Sequence, residues 1–220
     1  MTFGKIIPFI LFLLITGCGV ETDSCGDLSP DSNVFDIVDA DIQVLVVSES
    51  RTYPEMVLGD TYIANTDVEY NDIVFSISSE IQLIAAKREK TKDISFSLIS
   101  SAYACSQVPP RTNEKIVDIK ITSSSAFDNT LDAGYSLKSK FSVAYADSET
   151  PFYGYDNDLV VYHSLIQYLE QDDVYAGKII QLTLTEAPEF GGSHFFFIEL
   201  MLNTGEIFTL ETPEINFTQL

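Results

Sequence analysis

This chain has few side chains that could act as nucleophiles or bases, and many acidic ones. The 220 residues include 3 cysteines, 2 histidines and 33 aspartates and glutamates. His163 and His194 have neither a Gly-x-Ser-x-Gly elbow nor a His-Glu-x-x-His pair around them. We interpret both histidines as structural, on the surface or half buried, and we expect no zinc site and no cofactor.

The many carboxylates leave two further kinds of chemistry to consider. Paired carboxylates could hydrolyse a glycosidic bond, although abundance does not identify a pair. Acidic loop clusters could bind Ca²⁺, which takes about six to eight oxygen ligands, but none has EF-hand spacing. We interpret 156–158 as capping and turn residues and 172–173 as solvated loop residues. The clusters are Asp36, Asp39 and Asp41; Asp156, Asn157 and Asp158; and Asp172 with Asp173.

An aromatic loop is the one sequence feature that suggests ligand stacking. Tyr153 and Tyr155 lie on either side of Gly154. Tyrosine rings can stack on a sugar or a peptide, but packing of a turn against the fold is their more common role. Because the chain also has no tryptophan, we assign no binding site to this loop.

The most specific chemistry belongs to Cys18. The ten apolar residues Ile6–Ile15 follow Lys5, and they are about half of the roughly 20 needed to span a bilayer. This pattern predicts a signal peptide over residues 1–17. The order aliphatic, small, Gly, Cys at 15–18 resembles the bacterial lipobox, in which cleavage precedes a cysteine that then carries acyl chains. We therefore predict that acylated Cys18 anchors the protein to a membrane.

The other two cysteines form an even pair in a chain predicted to enter an oxidising compartment. We predict a disulfide between Cys25 and Cys105. It would close a loop of about 80 residues, for which chain entropy gives roughly 4 kcal/mol of stabilisation. The alternative is two free thiols, and alkylation of both without reductant would support that alternative.

Charge restricts the class of partner. Removing residues 1–17 leaves 203 residues with 11 basic against 33 acidic side chains, a formal charge of −22. A surface this acidic repels phosphate, so we expect no nucleic-acid partner. Residues 18–33 are rich in Ser, Asp, Gly and Pro, and this composition predicts a flexible tether behind the anchor.

The residues just after Cys18 indicate an address in the cell envelope. Position 19 is Gly rather than Asp, and Glu21 and Asp23 follow. Acidic residues at this place resemble the export signals of surface lipoproteins in Bacteroidetes. We expect a lipid-anchored protein of the outer membrane, with its body facing either the periplasm or the outside.

Alternating apolar and polar residues dominate the chain beyond residue 33 and predict half-buried strands. The clearest alternation falls at 73–77, 94–98, 117–121 and 180–184, and apolar runs predict further strands at 42–47, 81–85 and 141–145. At the end of the chain, His194–Leu202 is apolar at nearly every position, as expected of a strand covered on both faces. Asn203-Thr204-Gly205 then predicts a tight hairpin into Glu206–Thr212.

One segment has helical rather than strand periodicity. Val161, Leu165, Tyr168 and Leu169 share a helical face in 159–169, after a possible cap at 156–158. Residues 136–140 could form another helical turn or lead into a strand. The whole predicts a mainly β fold, an antiparallel, immunoglobulin-like β-sandwich with one short helix in its C-terminal half. Pro109-Pro110 marks a break between β regions at 34–108 and 109–220, which could be two subdomains.

Several short motifs resemble an uncharacterised family of Bacteroidetes envelope lipoproteins. They are the lipobox, Ser24-Cys25-Gly26-Asp27, the segment 99–110 that contains Ala102-Tyr103-Ala104-Cys105, the strand-like 116–122, and Asn203-Thr204-Gly205-Glu206 with Thr212-Pro213-Glu214-Ile215. The resemblance implies an envelope β-protein with a structural role for Cys25 and Cys105. It transfers no catalytic residue, because that family has no established activity.

These observations lead to two functional hypotheses. We expect a non-catalytic envelope lipoprotein that acts as a binding or scaffolding module for a protein or glycan partner. The alternative is an envelope hydrolase that uses paired carboxylates. Two buried carboxylates facing each other across a cleft at about 5 to 10 Å would favour the hydrolase.

The anchor hypothesis makes a direct prediction for Cys18→Ala. The body is too acidic to add an electrostatic signal for an anionic membrane, so the acylated cysteine must supply the attachment alone. We expect the variant to leave the membrane fraction on cell fractionation. Retention of Cys18→Ala in that fraction would contradict the lipobox interpretation.

Overall fold

The structure is a computed structural model that describes residues 34–47, 56–84, 111–147, 155–156, 159–160, 164–172 and 174–218. These residues form strands, one α-helix and two 3₁₀ turns, at Tyr70–Asp72 and Lys138–Lys140. The elements are β1 Phe35–Val46, β2 Asp60–Thr61, β3 Asp67–Val68, β4 Ile73–Leu83, β5 Ile116–Ser123, β6 Phe141–Ala146, β7 Tyr155–Asp156, β8 Leu159–Val160, α1 Leu165–Leu169, β9 Ile179–Leu184, β10 Gly192–His194, β11 Phe196–Leu202, β12 Ile207–Glu211 and β13 Ile215–Phe217.

The largest sheet has five strands in the order β2-β1-β4-β9-β6, and every neighbouring pair is antiparallel. Its centre is the long pairing of β1 with β4, which runs from Phe35 opposite Leu83 to Val46 opposite Ile73. The sheet combines strands from both sides of residue 109. Its hydrogen bonds therefore join the two predicted β regions.

A second sheet has the order β12-β11-β5 and is also antiparallel. A third, β10-β13-β3, contains the parallel pair β13–β3, and β7 pairs with β8 in a two-stranded ribbon. The predicted mainly β, antiparallel sandwich is confirmed, and the one α-helix among the described residues lies in the C-terminal half.

The core of the sandwich contains a cluster of phenylalanine rings that joins the sheets. Phe75 of β4 packs edge to face on Phe141 of β6, with ring centroids 5.3 Å apart, and on Phe196 of β11 at 5.1 Å. Phe196 also contacts Phe217 of β13 at 6.2 Å. Aromatic pairs in this geometry contribute about 0.5–1.5 kcal/mol beyond the area that they bury. Phe196 thus connects strands of all three larger sheets.

Strand boundaries agree with the sequence pattern where alternation is strict, and they differ in two instructive places. The predicted strands at 73–77 and 81–85 are one continuous strand, β4, while 94–98 lies outside the described residues. Val117 was expected on the core face with Ile119 and Ile121, but it is 49% exposed. A register shift between β11 and β5 next to Leu202 puts Ile116 inside instead.

The C-terminal hairpin is confirmed, with a correction to its first strand. Gly205 has φ +92°, a left-handed conformation that suits glycine, and β11 and β12 pair on either side of the turn. The segment 194–202 was expected to be covered on both faces and to be one strand. It is divided into β10 and β11, and β11 alternates between buried and more exposed positions because only one of its faces meets the core.

The helix is shorter than the sequence predicted. Residues 159–160 belong to β8, and α1 begins only at Leu165. Its cap is Ser164 rather than the acidic residues at 156–158, because Ser164 and Gln167 form a reciprocal capping box. The undecided segment at 136–140 becomes a 3₁₀ turn that leads into β6. Within the described ranges, no helix is long and apolar enough to cross a bilayer.

The register of β1 and β4 generates a prediction about charge. Asp39 lies directly opposite Glu80, and both side chains are exposed. Like charges in this position repel, and a cross-strand pair changes the stability of a sheet by about 0.2–1 kcal/mol. We expect Glu80→Lys to raise the free energy of unfolding by about this amount in low salt, measured by urea denaturation.

The matched control is Glu80→Gln, which removes the repulsion without adding an attraction. It should give a smaller gain, and the difference between the two variants should shrink in high salt because exposed charges are screened. If Glu80→Lys is no more stable than Glu80→Gln in low salt, the cross-strand interaction is not the cause.

Candidate functional site

The cysteine predictions fall outside the residues that the structure describes. Cys18, Cys25 and Cys105 all lie in undescribed ranges, as do His163 and Tyr153. The proposed lipid attachment and disulfide therefore stay predictions.

The acidic clusters are only partly described. Asp36, Asp39 and Asp41 are exposed along β1, and Asp172 is exposed after α1. Asn157, Asp158 and Asp173, together with the side chains of Tyr155 and Asp156, are not described. Within the described part of the chain, no group of three or more His, Cys, Asp or Glu side chains is arranged to hold a metal ion.

His194 is a buried core residue rather than the surface or half-buried histidine expected from the sequence. Its exposed fraction is 0%, and its ring stacks on Phe196 at 5.9 Å and meets Phe217 edge to face at 5.5 Å. Nδ1 lies 2.8 Å from the Ser123 hydroxyl, itself 3% exposed. This Ser–His pair is closed off from solvent and packs the end of β10 against β5.

The environment of His194 favours the neutral ring. Burial lowers the pKa of His194, and the backbone of Gly191 opposes that shift. Nε2 has no hydrogen-bond partner of good geometry among the described residues. Charging the ring would put a cation where water cannot solvate it, and this desolvation cost explains the direction of the pKa shift. The role that we assign to His194 is structural.

Glu114 is the one carboxylate buried among the described residues, and it binds the backbone at an irregularity of β1. The pairing of β1 with β4 shifts register between Ile37 and Asp39, and Glu114 Oε2 accepts a hydrogen bond of 2.7 Å from the Ile37 N–H. Glu114 is 5% exposed. Its side chain therefore satisfies a backbone donor that would otherwise be buried without a partner.

Neighbouring carboxyl groups make the charge on Glu114 costly. Burial raises the pKa of Glu114, repulsion from Asp36 and Glu206 adds to the rise, and the Ile37 N–H opposes it. Asp36 and Glu206 are both exposed, so neither forms a pair of buried carboxylates with Glu114.

A buried glutamine fixes a segment whose neighbouring side chains include the most exposed aliphatic residues of the described part of the chain. Gln181 of β9 was expected to face water, yet it is 1% exposed. Its side-chain carbonyl accepts from the Val57 N–H at 2.7 Å, and its amide donates to the Val57 carbonyl at 2.8 Å. Both backbone groups of Val57 are therefore paired, as they would be with another strand. The segment 56–59 covers this part of the five-stranded sheet, which explains why Gln181 is buried.

Two aliphatic side chains project from the chain beyond this attachment. Leu58 is 75% exposed and Ile63 is 72% exposed, whereas the adjacent Val57 and Tyr62 are 7% and 4% exposed. They lie beside an open groove of about 560 Å³, which we call the β2 groove. It is lined by Val46, Leu58, Gly59, Asp60, Thr61, Ile63 and Thr66.

The backbone around the β2 groove is held in place at both ends. A Cβ at Gly59 would lie 2.4 Å from the Val46 carbonyl oxygen, so the chain can approach β1 this closely only with glycine. After β2, Tyr62 donates its hydroxyl proton to the Thr66 carbonyl at 2.6 Å and accepts from the Asn216 N–H at 3.1 Å. Leu58 and Ile63 thus protrude from a fixed backbone.

The β2 groove could hardly be predicted from the sequence. Leu58, Gly59 and Ile63 lie in a segment without two-residue or helical periodicity. Gln181 is the residue that attaches this segment to the sheet, but a glutamine in an alternating strand normally indicates the solvent face. Only the fold shows that this glutamine substitutes for a neighbouring strand.

The raised pKa of Glu114 makes the stability depend on pH in a definite direction. A folded-state pKa above the unfolded value of about 4.5 means that the folded protein binds more protons between those two values. The contribution of Glu114 is therefore complete below the unfolded value and is lost as pH rises through the folded one. We expect Glu114→Gln to remove this loss, since the amide carries no charge and its oxygen can still accept from the Ile37 N–H.

The measurement is the melting temperature of wild type and variant across the mildly acidic to neutral range. The difference in favour of Glu114→Gln should grow as pH rises. Glu114→Ala is the control that leaves the Ile37 N–H unpaired, and it should be less stable than Glu114→Gln by about 1–3 kcal/mol at every pH. A pH profile of Glu114→Gln parallel to that of wild type would contradict the assignment.

No known family model matches the chain, and neither the curated proteins nor the solved structures include a significant match to it. The resemblance to Bacteroidetes lipoproteins therefore stays a prediction.

Proposed function

We propose that this protein is a non-catalytic, lipid-anchored envelope lipoprotein that binds a protein partner through the β2 groove. The observation that carries the proposal is the exposure of Leu58 and Ile63, at 75% and 72%, on a backbone held by Gln181 and Tyr62. When a partner covers aliphatic side chains that were exposed to water, the burial of their apolar surface favours the complex. The predicted anchor at Cys18 and the tether at 18–33 would present this surface away from the membrane.

The composition of the groove favours a protein over a glycan. Its lining residues are aliphatic, small or polar, and none of them is aromatic. Sugar-binding sites commonly stack pyranose rings on aromatic faces, whereas aliphatic pockets suit the apolar side chains of a protein partner. The glycan alternative from the sequence therefore receives less support here than the protein alternative.

The hydrolase alternative receives little support from the surroundings of Glu114. One Glu114 oxygen accepts from the Ile37 N–H, and the neighbouring carboxylates of Asp36 and Glu206 are exposed rather than buried. Acid and base in a glycoside hydrolase stand about 5–10 Å apart on either side of the scissile bond. The contacts of Glu114 support a role in the structure of β1.

The test is site-specific photo-cross-linking in intact cells with the full lipoprotein. A photoreactive residue in place of Leu58 or Ile63 should give one discrete protein adduct. The matched position is Ile207, an aliphatic residue that is 53% exposed on β12 and is not a groove residue. We expect no such adduct from position 207.

A second measurement separates recognition from general stickiness. Leu58→Asn with Ile63→Asn should abolish the adduct formed from a photoreactive group at Thr66, while Ile207→Asn should leave it unchanged. Both variants change exposed side chains, so their melting temperatures should stay close to that of wild type. Equal adducts from positions 58, 63 and 207 would contradict the proposal, and an adduct lost to glycosidase but not protease would indicate a glycan.

A further inference from the structure

The β2 groove has an unpaired backbone edge as well as apolar side chains. β2 is the outermost strand of the five-stranded sheet, and it pairs with β1 through Leu45 opposite Thr61 and Val46 opposite Asp60. The Tyr62 N–H donates to the Val44 carbonyl. Because neighbouring residues of a strand direct their backbone groups to opposite sides, Thr61 directs its N–H and C=O away from β1.

Nothing in the described ranges pairs with these two groups. The Thr61 side chain is exposed, and no described backbone segment hydrogen-bonds to the Thr61 N–H or C=O. The edge ends at the next outward-facing residue, since the Ile63 carbonyl accepts from the Thr66 N–H and hydroxyl. A short donor and acceptor pair is thus open between the exposed side chains of Leu58 and Ile63.

The acidic residues around this edge favour a partner strand with basic side chains. Residues 56–72 contain Asp60, Asp67, Glu69 and Asp72 and no lysine or arginine. Asp60 lines the groove, and Asp67 follows directly after the groove residue Thr66. An incoming acidic segment would be repelled by this surface, whereas lysine or arginine side chains would be attracted to it.

We propose that the β2 groove takes an extended segment of a protein partner that alternates apolar and basic residues. The segment adds to β2 as a further antiparallel or parallel strand, with its backbone bonded to the Thr61 N–H and C=O. Its apolar side chains cover Leu58 and Ile63, and its basic side chains face Asp60 and Asp67. This binding mode rests on the proposed function and specifies how the partner is recognised.

The first test asks whether the edge is free in the isolated protein. Amide hydrogen exchange of Thr61 should be fast in the full chain at low protein concentration. Slow exchange in the monomer would mean that another part of this chain already covers the edge. Slow exchange only at concentrations where the protein dimerises would mean that a second copy occupies it, and either result would overturn the proposal.

The second test uses a synthetic peptide of alternating lysine and valine as the probe. Its binding, followed by fluorescence anisotropy, should protect the Thr61 amide from exchange. A peptide of alternating glutamate and valine should bind at least about tenfold more weakly, and the advantage of the lysine peptide should shrink in high salt. Equal binding of both peptides, or no binding of the lysine peptide, would overturn the proposal.

The third test separates strand addition from side-chain contact. Thr61→Pro removes the outward N–H while leaving the hydrogen bonds between β2 and β1 intact, because proline is tolerated at strand edges. Thr61→Pro should weaken the binding of the lysine–valine peptide about tenfold. Thr61→Val, which keeps the N–H, should bind the peptide as tightly as wild type does. An unchanged melting temperature shows that Thr61→Pro still folds. If the melting temperature falls, the same question is tested on wild type with a lysine–valine peptide N-methylated at alternate residues, which should bind more weakly.

The outcomes also distinguish this inference from the proposed function. If Leu58→Asn with Ile63→Asn abolishes the cellular adduct while Thr61→Pro and the probe peptides change nothing, the protein binds its partner by side chains alone. In that case the proposed function stands and strand addition fails. Loss of the adduct in both Thr61→Pro and the double variant, but not in Thr61→Val, is the result that we expect.

Discussion

Phe75, Phe141 and Phe196 meet edge to face between the sheets, and the positions of the other elements depend on this contact. The rings come from β4, β6 and β11, with centroids 5.1–6.0 Å apart, and all three are fully buried. Close packing of this kind leaves little freedom for sliding one sheet over another. Phe196 also contacts Phe217 of β13 and the ring of His194, so that His194 belongs to the same aromatic cluster.

Buried polar side chains in this fold hydrogen-bond where the sheet pattern is interrupted. Glu114 accepts from Ile37 at the register shift of β1, and Gln181 pairs with both backbone groups of Val57. Ser123 hydrogen-bonds His194, next to the end of β5. Each supplies a partner that regular strand pairing does not provide at that point, because a buried backbone or ring nitrogen without a partner is costly.

The β2 groove is a consequence of this arrangement. Gln181 holds Val57 against the outer face of the five-stranded sheet, and Gly59 lets the chain turn closely along β1. With these contacts made, Leu58 and Ile63 face solvent because the inward positions are already filled by Val57 and Tyr62. The proposal of a protein partner follows from aliphatic surface that the fold itself does not cover, set in an acidic surround.

Composition and local pattern determined the class of this fold, and tertiary contacts determined its candidate site. Strict alternation at 73–77 and 180–184 was enough to predict strands, and Asn203-Thr204-Gly205 was enough to predict a hairpin, since both depend on neighbours in sequence. The exposure of Val117 and the burial of His194 could not be predicted, because each depends on a register or a covering segment. The same holds for Gln181. A glutamine in an alternating strand is expected to face water, and it is buried only because it hydrogen-bonds Val57, 124 residues away in sequence. The start of α1 was missed although its capping box, Ser164 with Gln167, is local in sequence. Local periodicity specifies which face of a strand is apolar, whereas the three-dimensional path of the chain decides what covers that face.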